Sequence, residues 1–267
     1  MSKMKAIKTF RDLLSFLTII SLSKTEDFVV TSAEYIFLFP LIGALIGLFA
    51  AAYFQVCGFL ISYLLAFINL ILYIPTEFLL KLAPAAMTLA FLLVLTGLQH
   101  FDGLVDLGNA IGLNKVEERR AAAHAWIVTY KGAFLAIFVE FLAFLGLFFL
   151  NADFAFKVII ASEVSAKLAM VTIALIGKPA HKGLGALFIE NAKKKRTIAA
   201  YFLSVLIVYP LLGFTGVWII LISILLGAFM ERVAKTVFGG VSGDMIGATN
   251  ETVRAVTLVF AASVLVL

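Results

Sequence analysis

The sequence predicts an all-α, polytopic integral membrane protein: a helical bundle of about seven spans, with an N-terminal amphipathic helix and a segment able to re-enter the membrane. Three observations predict it. Hydrophobic residues make up 63% of the chain and charged residues 14%, where soluble domains carry about 45–50% and about 25%. Several apolar stretches reach the roughly 20 residues that cross a bilayer. These stretches do not alternate polar and apolar residues, as the strands of a membrane barrel would. Mean hydropathy is +1.10.

The start, MSKMKAIKTFRDLLSFLTIISLSK, is basic, but its apolar part is too short for a cleaved signal and has no small-residue cleavage site. It reads as an amphipathic helix lying on the membrane surface. Residues 1–30 are expected to form this cytoplasmic segment and 31–267 the bundle, in one membrane domain with no soluble domain appended. Apolar stretches then run over 35–56, 58–75, 83–98, 132–150, 154–176, 198–230 and 253–267. The long 198–230 block contains Pro210 and Gly213 in YPLLGFTG, a turn signal that divides it into two spans, the first short.

Charge orders these segments. Net charge is +5, and the cations fall between spans, so they report topology rather than nucleic-acid binding. The loops 99–131, 177–197 and 231–252 hold most of them, including Lys115, Arg119, Arg120, Lys131, Lys178, Lys182, Lys193, Lys194, Lys195, Arg196, Arg232 and Lys235. Positive residues mark the cytoplasmic side, so these loops face the cytoplasm of a multi-pass protein in the cell membrane. A conflict follows. Full spans over 35–56, 58–75 and 83–98 put the N-terminus outside, yet Lys3, Lys5, Lys8 and Arg11 argue that it is inside. The stretch 35–56, interrupted by Pro40, Gly43 and Gly47, is the candidate for a re-entrant segment. The single cysteine, Cys57, excludes an intrachain disulfide.

Two polar clusters carry the chemistry. In LTGLQHFDGLVDLGNAIG (95–112), Asp102 and Asp106 are one helical turn apart on one face, and Asn109 follows one turn on. Oxygen ligands at that spacing suit Mg²⁺, which takes a few carboxylates together with substrate phosphates and water. The plainer reading is a solvated span end. His100 is adjacent and is a candidate proton acceptor, although a lone interfacial histidine is more often a simple hydrogen-bonding residue. In FGGVSGDMIGATNE (238–251), the glycines 239, 240 and 243 would let backbone N–H groups approach an anion. Asp244, Asn250 and Glu251 add oxygens, and Asp244 and Glu251 share a helix face. A third stretch, KPAHKGLGALFIENAKKKR (178–196), places Lys182 beside Gly183 and Gly185 as a phosphate contact. Its basic run 193–196 reads as a topology signal and lipid-headgroup contact.

The first two clusters together resemble the cobalamin synthase family, the adenosylcobinamide-GDP ribazoletransferases. The family pattern His-x-Asp-Gly-Leu-Ala-Asp-x-x-Asp-Gly reads here His100-Phe101-Asp102-Gly103-Leu104-Val105-Asp106-Leu107-Gly108-Asn109-Ala110. The pattern Gly-Gly-x-Thr-Gly-Asp-x-x-Gly-Ala-x-x-Glu reads Gly239-Gly240-Val241-Ser242-Gly243-Asp244-Met245-Ile246-Gly247-Ala248-Thr249-Asn250-Glu251. KGLGALF (182–188) and FPLIGALIG (39–47) resemble further family segments. The third acid of the first pattern is Asn109 here, its following glycine is Ala110, and the family's later Lys-Asp pair has no acid counterpart in HAWIVTYKG (124–132).

The resemblance implies a transferase. α-Ribazole, or its 5′-phosphate, attacks the pyrophosphate of adenosylcobinamide-GDP, GMP leaves, and the nucleotide loop of cobalamin closes. The cofactor implied is Mg²⁺, with Asp102, Asp106, Asp244 and Asn109 as ligands. Asp106, Asp102 and His100 are the catalytic candidates, an aspartate being favoured as base. Gly103, Lys182, Gly240, Ser242, Gly243, Asn250 and Glu251 are the substrate-binding candidates. Expected partners are the two small-molecule substrates and membrane lipids, with no nucleic acid, and a homo-oligomer is compatible with such a chain. Two alternatives stand beside this. A CDP-alcohol-type phosphotransferase would share the aspartate-rich helix, but its Asp-x-x-Asp-Gly-x-x-Ala-Arg pattern is not met. An ion-coupled transporter would explain acids near the membrane, although these acids cluster at span ends.

Overall fold

The computed structural model describes residues 3–23, 27–123, 125 and 127–265. Residues 1, 2, 24–26, 124, 126, 266 and 267, which fall within the expected domain and its N-terminal segment, lie outside the described residues. The described residues are almost entirely helical, and their one extended pairing is an isolated parallel bridge between Pro179 and Val241. Among the described residues, five helices are long and apolar enough to cross a membrane.

The N-terminal segment forms α1 (Lys3–Leu17) and α2 (Phe28–Glu34). On α1, Leu13, Leu14 and Leu17 are buried against the bundle while Met4, Ile7 and Phe10 are exposed. Next, α3 (Phe39–Ile68) is continuous over 30 residues, about 45 Å at 1.5 Å per residue. This corrects both the separate spans expected over 35–56 and 58–75 and the re-entrant segment. Pro40 lies in the first turn of α3, where a missing N–H costs no helical hydrogen bond. Gly43 and Gly47 do not break the helix either. A Cβ on them would stand 2.6 Å from the Glu163 carbonyl oxygen and 2.7 Å from the Ile160 Cα. They let α3 close onto its neighbour, the usual service of small residues between membrane helices.

The chain returns through α4 (Thr76–Leu95), then α5 (Gln99–Ala110) and the short α6 (Val116–Ala123). The helices α7 (Tyr130–Phe149) and α8 (Ala152–Ile176) follow, with Thr129 and Asn151 as their N-caps. Every residue of α8 from Val158 to Ala174 is buried, which makes it the central rod. After α9 (Leu184–Ala192), α10 (Ile198–Phe238) doubles back at Gly213, whose φ of 56° and ψ of −131° are not helical. A Cβ on Gly216 would lie 2.8 Å from the carbonyl oxygen of Val208, so the two arms press together. Finally α11 (Gly243–Leu265) begins at once after a tight turn. The polar loop expected over 231–252 is therefore mostly helix.

One continuous helix over 39–68 removes the conflict over the N-terminus. The Ile19 N–H donates to the Leu95 carbonyl at 2.8 Å, Phe16 stacks on Phe188, and Arg119 and Arg120 donate to the carbonyls of Thr236 and Phe238. The end of α1, the C-terminus of α4, α6, α9 and the turn before α11 thus gather at one end of the bundle, beside the acids.

Candidate active site

Two glycines and a left-handed residue set the first acids in place. Gly97 and Leu98 both have positive φ, 66° and 58°, so α4 ends sharply and α5 starts in a new direction. Along α5, Asp102 is exposed and Asp106 half-buried, whereas residues 103–105 and 107–110 are all buried. The Gly103 side of α5, next to the acids, packs on α11. A Cβ on Gly103 would lie 2.3 Å from the Asp244 carbonyl oxygen and 3.0 Å from the Ala248 nitrogen. Gly103 thus sets how closely the Asp102–Asp106 face approaches Asp244.

The turn before α11 is itself braced. The Val241 N–H donates to Lys178 at 2.8 Å and the Ala180 N–H donates to Val241 at 3.0 Å. Gly239 and Gly240 donate to Lys235 and Ala234. Three N–H groups of the expected anion cradle are therefore spent inside the fold, and Gly240 serves by packing against Ala180. Ser242 caps α11. Its Oγ accepts from the Met245 N–H and donates to Asp244 Oδ2, both at 3.3 Å. On α9, a Cβ on Gly185 would stand 2.8 Å from the Gly243 nitrogen, so α9 rests directly on this turn.

Asp102, Asp106 and Asp244 line one cleft of about 410 Å³, with Val105, Ala123, Ile127 and Val128 as its other walls. Burial, then the charges of Asp244 and Asp102, push the Asp106 carboxyl up to about 7. A second cleft of about 300 Å³ shares Asp102 and Asp244 and is walled by Phe16, Phe39, Met170 and Phe188, with Gln99 and His100 also lining it.

The donor set fits a divalent cation in a particular way. Three carboxylates face a space that no Lys or Arg lines among the described residues, and their repulsion adds to burial in raising the Asp106 pKa. Among the described residues, no three His, Cys, Asp or Glu side chains are grouped closely enough to hold a metal by themselves. That combination suits Mg²⁺, which keeps several waters and is completed by substrate phosphate oxygens.

The other candidates lie elsewhere. Asn109 is buried, its Oδ1 accepting from the N–H and Oγ1 of Thr129 at 3.0 and 2.7 Å, its Nδ2 donating to the Ile127 carbonyl at 2.7 Å. Its amide ties α5 to the segment before α7, in the position the sequence gives to a ligand. Lys182 is exposed and lines neither acidic cleft. Asn250 and Glu251 are buried, about 10 Å deeper along α11 than Asp244, so Glu251 and Asp244 share a direction and not a cleft.

Asn250 and Glu251 belong instead to an ion network that the sequence reading missed. Lys167 Nζ donates to Asn250 Oδ1 at 2.7 Å and lies 3.4 Å from Glu163 Oε2. Asn250 Nδ2 donates to Glu251 Oε1 at 3.0 Å. Arg254 donates to both Glu163 and Glu251. All five residues are at most 1% exposed. His100 stands over this network, its Nδ1 3.6 Å from Glu251 Oε1. Burial, then the charges of Lys167 and Arg254, hold its imidazole well below the usual value, so it is neutral.

The sequence profile of the cobalamin-5-phosphate synthase family matches residues 9–262. The chain belongs to that family. It is a transferase of cobalamin biosynthesis built into a membrane-type helical bundle. Among its relatives, an adenosylcobinamide-GDP ribazoletransferase of Halorubrum lacusprofundi is 28% identical over 94% of this chain and 95% of its own length. One from Methanosarcina barkeri is 26% identical over 96% and 92%. One from Archaeoglobus fulgidus is 34% identical over 68% and 77%. No solved structure matches the chain.

Proposed function

We propose that this cobalamin-5-phosphate synthase family member joins adenosylcobinamide-GDP to α-ribazole or its 5′-phosphate and releases GMP. One observation carries the reading: three carboxylates from two helices distant in sequence line one cleft, and two of them, Asp102 and Asp244, also line the second. A transfer between two substrates needs such a shared edge.

The residues divide the work. Asp102, Asp106 and Asp244 would hold Mg²⁺, with the phosphate oxygens of the substrate completing its shell. When bound, Mg²⁺ would offset the charge of the pyrophosphate and of the departing GMP. Asp102 is common to both clefts and exposed, so its carboxylate is suited to take the proton of the attacking ribose hydroxyl. The ribose oxygen forms the new bond to phosphorus as the bond to the GMP oxygen breaks. The neutral His100, packed over Glu251, orients the substrate at the cleft wall. Support for a cytoplasmic site comes from charge: the acids share their end of the bundle with the basic α1 and the polar loops.

Purified protein in detergent, given adenosylcobinamide-GDP, α-ribazole 5′-phosphate and Mg²⁺, is expected to release GMP and form adenosylcobalamin 5′-phosphate. No GMP release under conditions where the protein is folded would overturn the reading.

A further inference from the structure

The two clefts that share Asp102 and Asp244 differ in chemistry. Among the described residues, no aromatic side chain lines the acidic one. The other is lined by the rings of Phe16, Phe39 and Phe188. Phe16 stacks on Phe188 with ring centroids 4.9 Å apart, and Phe39 meets Phe188 at 5.8 Å. Three separate elements build this wall: α1, the first turn of α3, and α9. The Ile19 N–H bond to Leu95 fastens the end of α1, and Gly185 seats α9 on the turn carrying Asp244. The wall is therefore fixed relative to the acids.

We infer, resting on the reading above, that the aromatic cleft seats the nucleoside acceptor. The flat apolar base lies against Phe188 and Phe16, and the ribose sits at the mouth beside Asp102 and Asp244. Size and charge both favour this. A space of about 300 Å³ accommodates a nucleoside and excludes a corrinoid. Among the described residues neither cleft is lined by a Lys or Arg, so a phosphate needs a bound cation, and the pyrophosphate belongs to the cleft lined by all three carboxylates. Stacking on phenylalanine selects a planar ring and tolerates few polar edges. Apart from Asp102 and Asp244 at the mouth, Gln99 and His100 are the polar side chains that line it among the described residues, fewer than a purine's ring nitrogens and exocyclic group call for.

The assignment makes Phe188 and Phe16 specificity residues for one substrate. In full-length protein, Phe188→Ala is expected to raise KM for α-ribazole 5′-phosphate about tenfold, the scale of one lost base–aromatic stack. KM for unphosphorylated α-ribazole is expected to rise by the same factor, and KM for adenosylcobinamide-GDP to stay within twofold. Phe188→Tyr, which keeps a stacking ring, restores the acceptor KM. Phe188 is buried, so the half-buried Phe16→Leu gives a milder parallel test, with the melting temperature of both variants read beside KM. A rise in KM for adenosylcobinamide-GDP, or no change in either KM for both variants, overturns the assignment. A wild-type protein that makes no cobalamin product fails the reading of the reaction first, before the variants are compared.

Discussion

Glu163 of α8 and Arg254 of α11, 91 residues apart in the chain, meet in a hydrogen-bonded ion pair in which neither side chain is exposed. Arg254 also holds Glu251, and Glu163 also faces Lys167. Charges so deep in a helical bundle are tolerated only when paired. Arg254→Met leaves both glutamates without their shared guanidinium and is expected to destabilise the protein by about 3–5 kcal/mol. Thermal unfolding in detergent checks this. Adding Glu163→Gln to Arg254→Met is expected to cost less than the sum of the single changes, since one removes what the other strands.

Asp106→Ala is expected to reduce GMP release by more than about a hundredfold, because even residues that only support a metal ligand are worth about 10–100-fold. The fold should survive, since Asp106 lies at a cleft wall and has two acids as its main electrostatic neighbours. Turnover and melting temperature of the same preparation test both halves. Chelation of Mg²⁺ with EDTA is expected to abolish turnover in the wild type, and excess Mg²⁺ to restore it.

A pH dependence follows from the raised Asp106 pKa of about 7. The unfolded carboxyl ionises near 3.8, so between about pH 4 and pH 7 the folded state retains a proton that the unfolded state has lost. Its contribution to metal-free stability is therefore present below about pH 4 and declines as pH rises to 7. A cation binds the ionised form, so Mg²⁺ binding near pH 6.5 is expected to release a proton. Calorimetry in two buffers of different ionisation enthalpy measures that release, and Asp106→Asn should suppress it.

Asn109→Asp, which restores the acid of the family pattern, is expected to lower stability by about 1–3 kcal/mol without raising Mg²⁺ affinity. The Asn109 Nδ2 donates to the Ile127 carbonyl, and a carboxylate oxygen in its place would face that carbonyl with no proton between them. Melting temperature and Mg²⁺ titration check the two parts.

Gly103→Ala gains about 1 kcal/mol of helix propensity but sets a methyl 2.3 Å from the Asp244 carbonyl oxygen. Backbone atoms cannot rotate away, so α5 must lift from α11. Lower thermal stability and a fall in kcat are expected together, because the same shift separates Asp102 and Asp106 from Asp244.

Composition made the helical class legible, and the break at Gly213 was visible as Pro210 followed by glycines. The length of α3 was not. Pro40 reads as a breaker until its place in the first turn is known, and Gly43 and Gly47 read as flexibility until α8 is seen against them. At the site, four-residue spacing put Asp102 and Asp106 on one face, and the motif added Asp244. The same periodicity suggested that Glu251 joins them, because a helical wheel shows direction and hides depth. Asn109 reads as oxygen for a metal because sequence does not show Thr129 and Ile127 beside it. Lys167, one turn from Glu163 inside an apolar run, was the available sign of the ion network. The aromatic cleft had no such sign, since Phe16, Phe39 and Phe188 are three of 26 phenylalanines.

The reversal of α10 at Gly213 bears on the lipid around the protein. Its first arm, residues 198–212, is about 22 Å long at 1.5 Å per residue, against roughly 30 Å of hydrocarbon. Acyl chains beside this arm must shorten or tilt to meet it, which draws the headgroup layer inward along that flank. A bilayer of long saturated chains resists such a dimple and one of short chains accommodates it, so membrane thickness becomes a variable that acts on this fold from outside.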